Sequence, residues 1–227
     1  MFKEGKLTRG MIKAPWRVVQ KRVARTASAA DNGATMEITK PDRTGWDSFP
    51  DVAIIADEST VKKHPSYPAA KAGDIAAAKQ LVIDVLNQDA VDSIKKALGR
   101  GAPLLTPVYA VEETGINRLP AVFAEVLGER LGLSVNEEIV QINRVGHTGA
   151  SGYHRLAFPA LFDGEVTGGK TYLLVDDFVG QGGTLANLKG YIESKGGRVV
   201  LATTLTGKTY SAKLALTNAT AGTAWRS

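Results

Sequence analysis

Asp176 and Asp177 stand side by side after the apolar run Tyr172-Leu-Leu-Val175, and Phe178-Val-Gly-Gln-Gly-Gly-Thr184 follows them. Adjacent carboxylates accept hydrogen bonds from sugar hydroxyls or face a hard divalent cation such as Mg²⁺. In the next five residues, Gly180, Gln181, Gly182, Gly183 and Thr184, the glycines let the backbone turn tightly and offer N–H groups to an anion. A helix N-terminus behind such a turn adds favourable partial charge. Carboxylates beside a phosphate repel it unless they serve hydroxyls or a metal, so the combination describes a pocket for a phosphorylated sugar.

The elements around these residues repeat one order: strand, loop, helix. The run before the acids reads as a short buried strand near 171–176, and Leu185–Lys195 as the helix after the loop. Ligands of an open parallel sheet bind beyond the carboxyl ends of its strands, which places the acid pair in that crevice. Upstream, Pro103–Tyr109 is a β-rich apolar run, Ala110–Leu119 a polar loop, and Pro120–Leu131 an amphipathic segment closed by Gly132. Between these units, residues 143–158 hold three glycines, His147, His154, Arg144 and Arg155 without apolar periodicity. That is the composition of a mobile lid. Its arginines can pair with phosphate-type anions, and its histidines exchange protons near neutral pH.

The stretch 172–184 resembles the PRPP-binding motif of type I phosphoribosyltransferases, with six features in register: the apolar strand, Asp176, Asp177, the pair Phe178–Val179, Gly182 and Thr184. The resemblance extends over about residues 100–205. It implies that Asp176 and Asp177 hold the ribose 2′- and 3′-hydroxyls and contact Mg²⁺, directly or through water, and that residues 180–184 hold the 5′-phosphate. It makes the loop after Tyr109 the pyrophosphate loop, with Ala110, Val111, Glu112, Asn117 and Arg118, and implies an unusual peptide within Tyr109–Glu112, a cis non-proline bond being one form of it. Arg144, His154 and Arg155 become the catalytic candidates of the lid. The Pro107-Val108-Tyr109 strand end, the Gly115-Ile-Asn117 spacing and Arg144, Arg155 and Phe158 look most like the ComF-type, competence-associated members. Gln181 stands where the family usually has Thr, and the acceptor is not legible. The expected activity is transfer of a phosphoribosyl group from PRPP to, or from, a nitrogenous base or amine. The alternative is a non-catalytic PRPP- or nucleotide-sensing module tied to DNA uptake or a mobile genetic element.

Composition fits such a chain. With 227 residues, 44% apolar and 22% charged, it has the make-up of a globular protein with a sizeable core. The absence of cysteine excludes disulfides, thiolate metal sites and Cys nucleophiles. No apolar run approaches the roughly 18–20 residues that span a bilayer. Residues 1–25 carry eight basic side chains and one acidic, so the net charge of +5 belongs to an N-terminal arm. Such an arm suits a solvated or partner-binding role, with nucleic acid the secondary reading.

The expected fold is α/β: a mostly parallel twisted sheet flanked by helices, with strands near 103–109, 138–143, 171–176 and 198–204. The expected organisation is a basic and irregular segment over 1–50, a hood-like cover over 51–99, a core over 100–205 and a polar tail over 206–227. The cover has a strand at Val52–Ala56 and helices over Asp74–Leu86 and Asp89–Leu98, each opened by an Asp cap. Expected partners are PRPP or a nucleoside 5′-phosphate, no membrane, and a homodimer as the candidate assembly, in the cytoplasm.

Overall fold

Residues 44–112, 115–143 and 159–215 are described by the structure, a computed structural model, with backbone alone at 111, 112, 115 and 116. In β7, Thr171–Val179, residues Leu173 and Val175 enter one apolar cluster while Tyr172 and Leu174 enter another. This is the period-two pattern of a strand buried on both faces. β7 pairs in parallel with β8, Arg198–Gly207, on one side and with β2, Leu104–Pro107, on the other. β1, Ala53–Asp57, adds to β8 and completes the order β1-β8-β7-β2. The expected parallel sheet flanked by helices is therefore present.

Residues 51–99 join this core. Besides β1 they supply α1, Glu58–Lys62, α2, Tyr67–Lys71, α3, Ile75–Val85, and α4, Gln88–Leu98, whose buried Val61, Ala70, Leu81, Val82 and Ile94 share a cluster with Leu105, Leu173 and Leu201 of the sheet. α5, Leu119–Leu131, packs on the same face through Phe123 and Leu127. α6, Gly183–Ser194, covers the other face with Leu185, Leu188 and Ile192. Asp74 caps α3 by accepting the Ala77 amide at 2.9 Å, as its sequence position suggests. The cap of α4 is Asn87, which accepts the Ala90 amide at 2.8 Å, and Asp89 lies in the first turn instead.

The strand expected at 138–143 is not in the central sheet. Along the other edge of β2, among the described residues, only Val135 bridges Leu105. Asn136 Oδ1 then accepts the Glu138 amide at 2.8 Å, a local turn that bends the chain away. The apolar run instead gives the two-residue β5, Val140–Gln141, antiparallel to β6, Phe162–Asp163. Asn143 closes the neck above this pair. Its Nδ2 donates to the Pro159 carbonyl, and its Oδ1 accepts the Leu161 amide, each at 2.8 Å. The Tyr191 hydroxyl of α6 donates to the Gly164 carbonyl at 2.7 Å, which ties the neck to the helix.

Residues 44–49, the end of the expected irregular segment, are held by a buried lysine. Lys189 Nζ donates to Thr44 Oγ1 at 2.7 Å and to the Gly45 carbonyl at 2.9 Å, and pairs with Glu193 at 2.7 Å. Three partners satisfy an ammonium that would otherwise be costly to bury. Trp46 lies under it, with the ring centroid 5.6 Å from Nζ.

On α5, burial first and then the neighbouring Glu137 and Glu129 push Glu125 up to about 7, with Lys79 opposing. The folded chain thus holds a proton on Glu125 that the unfolded chain, at the ordinary 4.5, has released. Stability therefore falls as pH rises between those two values and levels off above them. In Glu125→Gln the drop in melting temperature between about pH 5 and about pH 8 should shrink, and the variant should melt above the wild type at the alkaline end. Thermal scans across that range check it.

Candidate active site

The acid pair sits inside β7, two residues before its end. Asp176 is 8% exposed, and its Oδ1 accepts the backbone amide of Asp177 at 2.8 Å. The Asp177 side chain is 14% exposed, and its Oδ2 accepts from Lys71 Nζ at 2.9 Å and from Asn117 Nδ2 at 3.0 Å. Three segments far apart in sequence thus converge on one carboxylate oxygen. Asn117 is itself fixed, because its Oδ1 accepts the Leu119 amide at 3.2 Å at the start of α5.

This geometry divides the two acids electrostatically. Burial first and the charge of Asp177 second raise Asp176 well above the usual carboxylate range. Burial would raise Asp177 too, but the Lys71 charge and the hydrogen bonds from Lys71 and Asn117 outweigh it and hold the group below its ordinary value. Asp177 is the ionised acceptor of the pair. Asp176 carries the proton more readily, so one member can donate and the other accept.

β7 ends at Val179, and the chain turns through Gly180, Gln181 and Gly182 into α6. Gly182 has φ 69° and ψ 9°, a left-handed conformation that a residue with a Cβ adopts at a cost. It is the N-cap of α6, and no side chain caps the helix there, whereas Asp57, Asp74 and Asn87 cap α1, α3 and α4. Gly183 and Thr184 form the first turn, half-buried, and Gln181 is exposed. Uncapped amides at a helix start, beside a left-handed glycine, can receive an anion.

The residues after β8 lie against this loop. The expected polar tail thus begins later than residue 206, since Thr206 and Gly207 belong to β8. The Lys208 amide donates to the Val179 carbonyl at 3.2 Å, the Ser211 hydroxyl donates to the Gly180 carbonyl, and Leu214 lies where a Cβ on Gly182 would point. Glu58 pairs with Lys208 at 2.5 Å and with Lys62 at 2.6 Å, joining α1 to the same edge.

The expected pyrophosphate loop is a hairpin. Ala110, Val111 and Glu112 form β3, Ala110–Glu112, antiparallel to β4, Gly115–Asn117, with Ala110 opposite Asn117. The cis form of the peptide expected within Tyr109–Glu112 is absent, since no described residue has a cis peptide bond, and none of these four residues has a positive φ. The ladder keeps this backbone extended, and the Tyr109 carbonyl accepts the Gln141 amide at 2.9 Å. Arg118 is half-buried at the N-cap of α5. The structure therefore joins Asn117 to Asp177 as one site. Arg144, His147, His154, Arg155 and Phe158 lie outside the described residues, as does the basic arm.

A Mg²⁺ ion at the acids would compete with Lys71 and Asn117 for Oδ2 of Asp177. Oδ2 of Asp177 already holds an ammonium and an amide, and the described residues contain no group of three His, Cys, Asp or Glu able to hold a metal. Contact through water suits such a site, because Mg²⁺ keeps several of its waters. No helix among the described residues is long and apolar enough to cross a membrane.

Sequence reading missed Lys71. It lies in Tyr67-Pro-Ala-Ala-Lys71, and nothing local in that string marks it as a partner of an acid 106 positions away.

No family model matches the chain. Among curated proteins, Protein TraN of Escherichia coli is 44% identical over 168 residues, covering 74% of this chain. An uncharacterized protein of Haemophilus influenzae is 42% identical over 151 residues, covering 66% of it. The matches span only 38% and 34% of those relatives' own lengths. Among solved structures, adenine phosphoribosyltransferase of Thermoanaerobacter pseudethanolicus superposes with TM-score 0.35 and 22% identity, over 58% of this chain and 76% of that one. The Saccharomyces cerevisiae enzyme, complexed with an imino-altritol bisphosphate and adenine, gives 0.36 and 14%, over 66% and 73%. Superpositions this loose carry nothing about the site, which stands on the residues described above. What the chain is similar to in sequence over most of its own length is one part of the longer protein named TraN.

Proposed function

We propose that this chain binds a 5-phosphoribosyl donor, PRPP, and transfers its phosphoribosyl group to a nitrogenous base or amine. One observation carries the reading: the acid pair and the uncapped, left-handed Gly182 turn are three to six positions apart on a single strand–loop–helix, with Asn117 joined to the second acid. The end of a strand and the turn that follows it are neighbours, so a single ligand carrying a phosphate and vicinal hydroxyls suits them. In this reading residues 180–184 receive the phosphate, Asp177 accepts a ribose hydroxyl, and the hairpin at 110–117 lies alongside the diphosphate. Mg²⁺ would arrive on the diphosphate and neutralise its charge.

In the transfer, the bond from C1 to the pyrophosphate oxygen breaks, a bond from C1 to the acceptor nitrogen forms, and that nitrogen loses its proton. Glycosyl transfer of this kind passes through a state with oxocarbenium character, so the chain's own task is to orient the ribose and exclude water. Arg144 and Arg155 are the candidates to meet the departing charge, and His154 to take the proton.

Calorimetry with PRPP, with and without Mg²⁺, tests binding, and pyrophosphate release with a panel of bases tests transfer. Saturable binding with release is the expected result. Binding without release from any base would favour the non-catalytic sensing module, and no binding would overturn both.

A further inference from the structure

Asp177 has a counter-charge built into the fold. Lys71 is the last residue of α2, and the helix is placed by the fully buried Ala70 and by Tyr67, both packed on the core cluster that includes Val175. Gly73, with φ 95°, turns the chain at once into α3, whose start Asp74 caps. The ammonium is thus delivered to Asp177 from a short, doubly anchored segment, and at 2.9 Å it makes a charge-assisted hydrogen bond. Its side chain is 29% exposed and that of Asp177 14%, so the pair is shielded enough to act in a lower dielectric than bulk water. Lys71 and Asn117 both donate to Oδ2, and the Asp176 side chain shares a further hydrogen bond with the same carboxylate.

We propose that Lys71 is the positioning residue of the ribose site: it takes the place a divalent cation would otherwise fill beside the acids, so that ribose 5-phosphate is bound without Mg²⁺. The proposal rests on the reading of Asp176 and Asp177 as the ribose-binding acids. Physically, an ammonium 2.9 Å from the Asp177 carboxylate supplies its counter-charge and, with Asn117, fixes its orientation toward a ligand. A lysine does this without the strict octahedral shell that Mg²⁺ demands. Any Mg²⁺ requirement then belongs to the diphosphate of a donor and not to the sugar.

The test is calorimetric titration of the wild type, Lys71→Arg and Lys71→Met with ribose 5-phosphate and, separately, inorganic phosphate, each in EDTA and in Mg²⁺. The wild type should bind ribose 5-phosphate equally in both buffers. Lys71→Met should lose about tenfold or more in EDTA and recover part of it in Mg²⁺, while Lys71→Arg stays within about threefold of wild type. Inorganic phosphate affinity should be the same in all three proteins, which a general loosening of the fold would not leave intact. Wild-type binding that requires Mg²⁺, or a Lys71→Met variant equal to wild type in EDTA, overturns the proposal while leaving the ribose site standing. Failure of the wild type to bind ribose 5-phosphate at all overturns the ribose site and this proposal together. The EDTA comparison on the wild type needs no variant, so the outcome does not depend on how well Lys71→Met folds.

Discussion

Asp177→Asn should bind ribose 5-phosphate between about tenfold and about a hundredfold more weakly than the wild type, since a hydrogen bond to a charged acceptor contributes about 1.5–3 kcal/mol. The amide keeps the size of the carboxylate but removes the charge that Lys71 and Asn117 both point at. With three donors facing one another, the Asn side chain turns its oxygen toward Lys71 and presents its NH₂ where the ligand hydroxyl would donate. Inorganic phosphate, for which residues 180–184 and the start of α6 are the proposed receiver, should lose less than about threefold. Calorimetry on the two ligands separates the effects. Equal losses on both would place the phosphate on the acids and defeat the division of the site.

Gly164→Ala should cost the most stability of any single methyl added to a glycine among the described residues. Gly164 has φ 142°, and a Cβ built on it falls on the Glu138 carbonyl oxygen, 2.7 Å from that carbonyl carbon and 2.8 Å from Ile139 Cα. All three are backbone atoms, so no side chain can swing away. Strain at a forbidden φ together with forced separation of two segments puts the loss at about 3 kcal/mol or more. Urea unfolding measures it directly. Gly132→Ala is the control, since it too has a positive φ, 68°, but a Cβ there meets nothing within 4 Å. A loss at Gly164 no larger than at Gly132 would mean that the packing of β6 against 138–139 yields easily.

Much of this architecture was legible because local chemistry decides it. An Asp ahead of an apolar helical period gave α3, and the unbroken apolar run 172–175 gave the central strand. The acids and glycines of 176–184 announced the site because each is needed within a few residues of the others. What stayed hidden depends on partners distant in the chain. Ile139-Val140-Gln-Ile142 does read as a strand, but nothing local says that it pairs with 162–163 rather than with β2. Asn136 was the available cue, since an Asn ahead of an apolar run favours a turn. Val111 and Ile116 with Gly115 between them were the cue for the hairpin that a polar loop was expected to fill. Lys71 had no cue, because its meaning comes from tertiary contact alone.

The neck closed by Asn143 has a thermodynamic consequence. Because Asn143 hydrogen-bonds to both Pro159 and Leu161, the chain entering and leaving 144–158 is already brought together by described residues. The cost of that meeting was met when the neck formed, and it varies only with the logarithm of what lies between, about 0.6 kcal/mol for each doubling of length. The described residues are therefore nearly indifferent to how many residues join 143 to 159. Evolution or an engineer can change that number while Asp176, Asp177, the Gly182 turn and the sheet keep their free energy of folding.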